Sequence, residues 1–229
     1  MPLKKVSHMN EADHLMVTQA VAAAEEKTDG EIVTIVTDQS DQYHDIGLAW
    51  ASVATFFALS LVAVFPSFFM NALTNMSGGW EHQFSAGEYL AALFVLLGLV
   101  WFSVWLVMKW MPLRTLLTPK HIKERRVRNR AVLLFKVGAE SRTRGRTGIL
   151  IFLSMHEHRA EIVADKAIAD KVAPEVWGDA MLAMISYVRA GEPGKGMAAA
   201  VTQVGVLLAE HFPHSDDNPN ELPDRLIEI

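Results

Sequence analysis

Residues 31–37, EIVTIVT, decide how this chain must be assembled. Six of the seven are β-branched, a composition that favours a strand, and Asp29-Gly30 supplies the turn that starts it. One strand has no stability alone, and no second strand comes directly after it. The chain runs instead into residues 46–70, IGLAWASVATFFALSLVAVFPSFFM, 25 residues without a single Asp, Glu, Lys, Arg or His. Residues 89–108 form another such run, 20 long. Either run can cross a bilayer as a helix, because roughly 20 apolar residues at about 1.5 Å each cover about 30 Å of hydrocarbon. The partners of the first strand must therefore come from beyond residue 110, and the apolar pair is an insertion into a split domain.

Those partners are legible. Residues 148–154, GILIFLS, and 159–164, RAEIVA, read as strands joined by the polar turn Met155-His-Glu-His158. Asn10 can cap a helix with Glu11 and Asp13 in its first turn, with Ala12, Met16, Ala20 and Ala23 as its apolar face. Thr118-Pro119 starts a basic helix striped by Val127, Ala131, Leu134 and Phe135 as far as about Gly138. Trp177, Met181, Met184, Ile185 and Val188 predict one further helix, ended by Gly191 and Pro193; Met197, Val201, Val204 and Leu208 predict another, ended near Phe212-Pro213. The expected fold is α/β, a small central mixed sheet flanked by helices. The first two strands run parallel through a right-handed crossover and the third runs antiparallel. The expected organisation is 1–45 as the N-terminal part of the domain, 46–110 as a two-helix transmembrane hairpin, 111–214 as the C-terminal part, and 215–229 as a mobile tail.

The whole chain has 229 residues, 51% hydrophobic and 21% charged, with a mean hydropathy of +0.18. That excludes disorder and fibrous classes. The absence of Cys excludes disulfides, thiolate nucleophiles and Cys-ligated zinc or iron-sulfur sites. The net charge of −5 conceals blocks: residues 109–146 carry a net +10, whereas residues 1–45 carry −6 and residues 147–229 carry −7. Positive charge directly after the second apolar run places that flank in the cytoplasm, and two spans then place both termini there. Lys4 and Lys5 agree, as do the interfacial positions of Trp50, Trp80, Tyr89, Trp105 and Trp110. No signal peptide is expected, because the first apolar run begins 45 residues in and lacks a small-residue cleavage site. The reading is a bacterial inner (plasma) membrane protein with two spans. Its basic segment meets anionic lipid headgroups, at about 1 kcal/mol per cation near the surface; membrane lipids and other membrane proteins are the expected partners, and nucleic acid is not.

Residues 28–37, the Arg-rich helix with Ala131 and Phe135, residues 147–154, Arg159, Ile162 and the closing helix pair together resemble the TPM domain. That family includes a thylakoid-lumen protein of photosystem II repair with acid phosphatase activity and a receptor-accessory membrane protein. The interruption by two spans resembles a bacterial membrane branch of it. The resemblance implies a central-sheet α/β sandwich and, by family alone, phosphatase activity. This chain departs from the pattern at Arg146-Thr147-Gly148, where many members have an acidic residue and Asn before the Gly, and at residues 165–170, DKAIAD, which lack the usual Gly-rich turn.

Among residues able to carry chemistry, Asp38 and Asp41 follow the first strand, and Asp165 and Asp170 follow the third. Carboxylates at strand ends can converge on a cation or phosphate; otherwise Asp165 caps a helix and residues 38–45 are linker. His156-Glu157-His158 sits at a hairpin tip, where solvent exposure is the default. Residues 191–196, GEPGKG, have the wrong spacing for a phosphate loop. Lys120, Lys123, Arg126 and Arg130 are candidates for headgroup binding, and Arg142, Arg144 and Arg146 for an anionic ligand or acidic partner segment. No metal ligand set and no cofactor are expected; calcium or magnesium is the alternative, in a membrane-bound phosphoric-ester hydrolase. The favoured function is a membrane-attached adaptor or assembly factor for other membrane proteins.

Overall fold

In the computed structural model, residues 9–76, 84–138, 147–172, 175–215 and 222–229 are described. The chain divides into two compact units, one of residues 1–41 with 119–229 and the other of residues 42–118. Lys4, Lys5 and Trp80 lie outside the described residues.

The first unit opens with α1 (Glu11–Glu25), capped as its sequence predicts: Asn10 accepts from the Asp13 N–H and Asp13 accepts from the Asn10 N–H. Its buried face is Val17, Val21 and Ala24 rather than Ala12, Met16 and Ala23, which are exposed. Both rows share the helical period, and packing selects the one a position further on, where two valines supply more compact apolar bulk. β1 (Glu31–Thr37) is buried throughout, and the chain then continues into the second unit.

That unit contains α2 (His44–Val64), α3 (Pro66–Met76), α4 (Ala86–Val107) and α5 (Met111–Leu117). The first apolar run is not one helix of 25 residues. It breaks at Phe65, because Pro66 has no N–H to give to the preceding turn and instead starts α3. α2 and α4 are nevertheless each long and apolar enough to cross a membrane. Gly47 and Ala51 are buried, so small residues form the tight part of the α2 seam. A Cβ on Gly47 would lie 3.2 Å from the Met108 Cβ. At the base of the pair the buried Arg114 guanidinium donates to the carbonyls of Met108 (2.7 Å), Lys109 (3.1 Å) and Gln42, and meets His44 Nδ1 at 3.1 Å. It thereby ties the chain entering the pair to the chain leaving it. Its charge, which the sequence places in the basic flank after the second apolar run, is directed at backbone carbonyls.

The first unit resumes with α6 (Lys120–Gly138), β2 (Gly148–Ser154), β3 (Arg159–Ala164), α7 (Lys166–Ala169), α8 (Val176–Arg189), α9 (Pro193–His211) and β4 (Ile227–Glu228). The sheet order is β3-β2-β1-β4. β1 and β2 are parallel in register from Glu31 with Gly148 to Thr37 with Ser154, and β3 is antiparallel to β2, as the spacing of the strands required. Alternation sends Ile32, Val36, Ile149, Ile151 and Leu153 to α1, α8 and α9, and sends Val33, Ile35, Leu150 and Phe152 to α6. Gly191, at φ +82°, makes the α8–α9 turn that the sequence placed there. On α9, a Cβ at Gly205 would come within 2.6 Å of the Ala24 Cβ, so glycine is what lets α1 and α9 touch.

The expected mobile tail is a correction. Leu222 and Leu226 are buried, and Ile227–Glu228 pairs with Ile35 and Val36 as a fourth, parallel strand. A buried β1 with an open edge would leave backbone groups without partners, and the tail satisfies them.

Candidate functional site

Strand direction sorts the candidate carboxylates. Because β3 runs back, Asp165 at its end lies at the amino end of β2, where its carboxylate accepts the Gly148 N–H at 3.1 Å and its N–H donates to the Gly148 carbonyl at 2.9 Å. Asp38 follows the opposite end of β1 and its carbonyl accepts the His156 N–H at 2.9 Å. A seven-residue strand at roughly 3.3 Å per residue keeps these ends about 20 Å apart. Asp38 and Asp41 therefore do not converge with Asp165 and Asp170. Asp165 does precede α7, and its carbonyl takes the Ile168 and Ala169 N–H groups; its side chain holds β2 instead of capping the helix. Asp170 ends α7 and is exposed.

The carboxyl end of β1 and β2 is where groups do gather. Glu157, at the tip of the β2–β3 turn, is only 7% exposed. It accepts the Ser40 N–H at 3.0 Å and the Ser154 hydroxyl, stitching the β1 exit to the hairpin. The turn that leaves His156 and His158 in solvent thus folds its middle residue inward, helped by His158 at φ +48°. Sequence alternation gives no signal of this, because the turn and not the strand sets the direction of Glu157.

α6 brings its cations to the same region. Arg126 pairs with Asp41 at 2.9 Å, Glu124 with Arg159 at 2.9 Å, and Arg128 with Glu161 at 3.3 Å. Burial lowers the pKa of Lys123 from the usual lysine range, with Arg159 and Lys120 adding like-charge repulsion that Glu157 partly offsets. Burial also raises that of Glu161 against the pull of Arg128. Of the headgroup candidates, Lys120 and Arg130 are exposed, Lys123 is half-buried, and Arg126 is engaged with Asp41. Arg142, Arg144 and Arg146 lie outside the described residues.

At the amino end, the Glu25 carboxyl accepts the Ile32 N–H at 2.8 Å and that of Glu31 the Leu222 N–H at 3.1 Å. Burial, with Glu31 and Asp224 nearby, pushes Glu25 up to about 8. Among the described residues no group of three His, Cys, Asp or Glu side chains is arranged to hold a metal ion. Within the second unit, α2, α3 and α4 border a groove of about 960 Å³ lined by side chains such as Phe65, Phe69, Val95 and Leu99.

No protein-family model matches this sequence, and no curated protein matches it. Among solved structures the chain is similar to the NMR structure of BA42 protein from the psychrophilic bacteria Bizionia argentinensis sp. nov. The TM-score is 0.56 at 15% identity, over 99% of this chain and 99% of that one. Likeness at this identity is one of fold.

Proposed function

We propose that this chain is a two-span membrane protein of the bacterial inner membrane. Its split α/β domain lies in the cytoplasm and acts as an adaptor or assembly factor for other membrane proteins. One observation carries the reading: α4 buries none of its side chains, with Leu90, Phe94 and Leu99 each at least 60% exposed, and in chain order it sits with α2 between two pieces of a single sheet domain. Such a surface is costly in water and costless in hydrocarbon. Ser52, Thr55 and Ser60 each turn a hydroxyl back onto the carbonyl four residues earlier, which suits a helix with no water to satisfy them. Trp105 stacks on Trp101, with the Lys109 ammonium 4.1 Å from its ring centroid, an aromatic and cationic terminus of the kind that anchors a span at its cytoplasmic end.

Arg-rich α6 begins at the residue after Pro119, where the first unit resumes, and its exposed Lys120 and Arg130 supply the kind of charge that anionic headgroups attract. The adaptor is favoured over the hydrolase because the four carboxylates that hydrolysis would need are divided between opposite ends of the sheet. The TPM resemblance, by family alone, points to the hydrolase, and the central-sheet α/β sandwich it implies is common to both readings.

Topology reporters test the placement. A periplasm-active reporter inserted between Asn75 and Glu81 should be active and one fused after Ile229 inactive; the reverse refutes the orientation. Titration with calcium or magnesium beside a chromogenic phosphate-ester assay tests the role. Saturable cation binding with turnover lost in Asp165→Asn would replace the adaptor with the hydrolase.

A further inference from the structure

The outer edge of β1 is covered in two different ways. At its amino half the Ile32 N–H is capped by the Glu25 carboxyl. At its carboxyl half the cover is residues 227–229: Ile227 and Glu228 pair with Ile35 and Val36, and the Ile229 N–H donates to the Val36 carbonyl at 3.0 Å. Two register pairs on a seven-residue strand make a short hold, against seven on the β2 side. The remaining hold comes from Leu222 and Leu226, each 4% exposed, from the Leu222 N–H on Glu31, and from His14 Nε2 at 3.2 Å from a Glu228 carboxylate oxygen. Beside this strand, between it and α1, runs a groove of about 510 Å³ bordered by Glu11, His14, Leu15 and Thr18. Leu15 is 58% exposed there.

We propose that this edge of β1 is a docking strip for an extended segment of a partner protein, and that residues 222–229 are its resident occupant, exchanged for the partner's strand. The resident defines the chemistry accepted: apolar residues at the positions of Leu226 and Ile227, a free N–H at that of Ile229, and an acidic residue opposite His14 where Glu228 stands. Exchange is feasible because a strand of that pattern remakes the main-chain pairing and the His14 contact that residues 226–229 give up, while the tether and the Leu222 anchor favour the resident. A short tether gives the tail an effective concentration in the millimolar range, which sets the threshold a partner must exceed. Strand addition at an exposed edge is a general mode of peptide recognition, with main-chain bonds supplying affinity and alternate side chains supplying choice. The inference deepens the adaptor reading and rests on it for the existence of a partner.

The test uses the purified full chain in nanodiscs and a fluorescent hexapeptide of sequence DRLIEI, residues 224–229. A tail filling the strip nine-tenths of the time or more leaves under about a tenth of molecules competent, so releasing it should tighten peptide binding at least tenfold. Leu226→Asp with Ile229→Pro releases residues 224–229 by removing their buried anchor and the N–H to Val36, while Leu222 stays. A control peptide with proline in place of the first isoleucine should not bind. As a second variant, His14→Glu keeps all the main-chain pairing and should invert the preference, favouring DRLIKI over DRLIEI. Equal affinity of DRLIEI for the native and tail-released chains, equal binding of the proline control, or an unchanged preference in His14→Glu overturns the strip. The peptide assay reads the strip alone and the reporter fusions read the membrane placement, so either can fail without the other.

Discussion

Glu25 offers a measurement in which burial and hydrogen bonding make opposite predictions. Its carboxyl lies half-buried in the last turn of α1 with Glu31 and Asp224 as acidic neighbours, and desolvation outweighs the Ile32 N–H that favours the ionised form. The folded pKa, about 8, stands above the unfolded value near 4.5. The folded state therefore binds the proton more tightly. The stability this supplies is complete below pH 4.5, declines as pH rises, and is gone above pH 8. At roughly 1.4 kcal/mol per pH unit the full span approaches 5 kcal/mol, and solvent screening of a half-buried group reduces it to about 2 kcal/mol. Glu25→Gln retains an acceptor for the Ile32 N–H and removes the ionisation. The variant should match the native chain at pH 5 and exceed it by about 2 kcal/mol at pH 8.5, which is about 4–8 °C in Tm for a unit of this size. Thermal unfolding of the full chain in nanodiscs between pH 5 and 9, followed by Trp177 fluorescence with the other tryptophans replaced by Phe, reads the difference. A variant less stable than the native chain at pH 8.5 would mean that the ionised carboxylate on Ile32 outweighs its desolvation, and the reasoning would fail.

Ile35→Asp buries a carboxylate facing α6 and should cost several kcal/mol, exposing residues 120–212 to protease although they are distant in sequence; unchanged resistance would mean that the two pieces fold separately. Gly205→Val forces α1 from α9 at a cost of about 1–3 kcal/mol, read as a lower Tm, with Gly98→Val, which meets nothing within 4 Å, as the tolerated control. Replacing Lys120 and Arg130 with Gln should lower the protection of α6 amides in anionic nanodiscs but not in neutral ones. Arg126→Gln should change it less, because Asp41 already holds that guanidinium; equal effects in the two lipids would reject the headgroup contact.

The first three strands, their relative directions and the basic helix are legible directly in residue order. β-Branched runs and the 3.6-residue period are local signals, and a strand with no neighbour forces its pairing onto a distant segment. The same locality makes α2 and α4 legible: a run of 20 uncharged residues has few other stable destinations. What the sequence misplaces depends on which surface another element covers. Alanine periodicity alone cannot identify the buried face of α1, because α9 and Gly205 select it by contact. The tail reads as a free terminus because Leu226, Ile227 and Ile229 find their purpose only against an edge of β1 nearly 200 positions earlier. Glu157 and Arg114 look like surface charges in one dimension and are buried in three, Glu157 held by the Ser40 N–H and the Ser154 hydroxyl and Arg114 by the carbonyls of Met108, Lys109 and Gln42. The four candidate aspartates follow strands and so share a sequence context. Whether they also share a place depends on the reversal of β3, which carries Asp165 to the far end of the sheet while the chain direction of β1 leaves Asp38 and Asp41 at the near one.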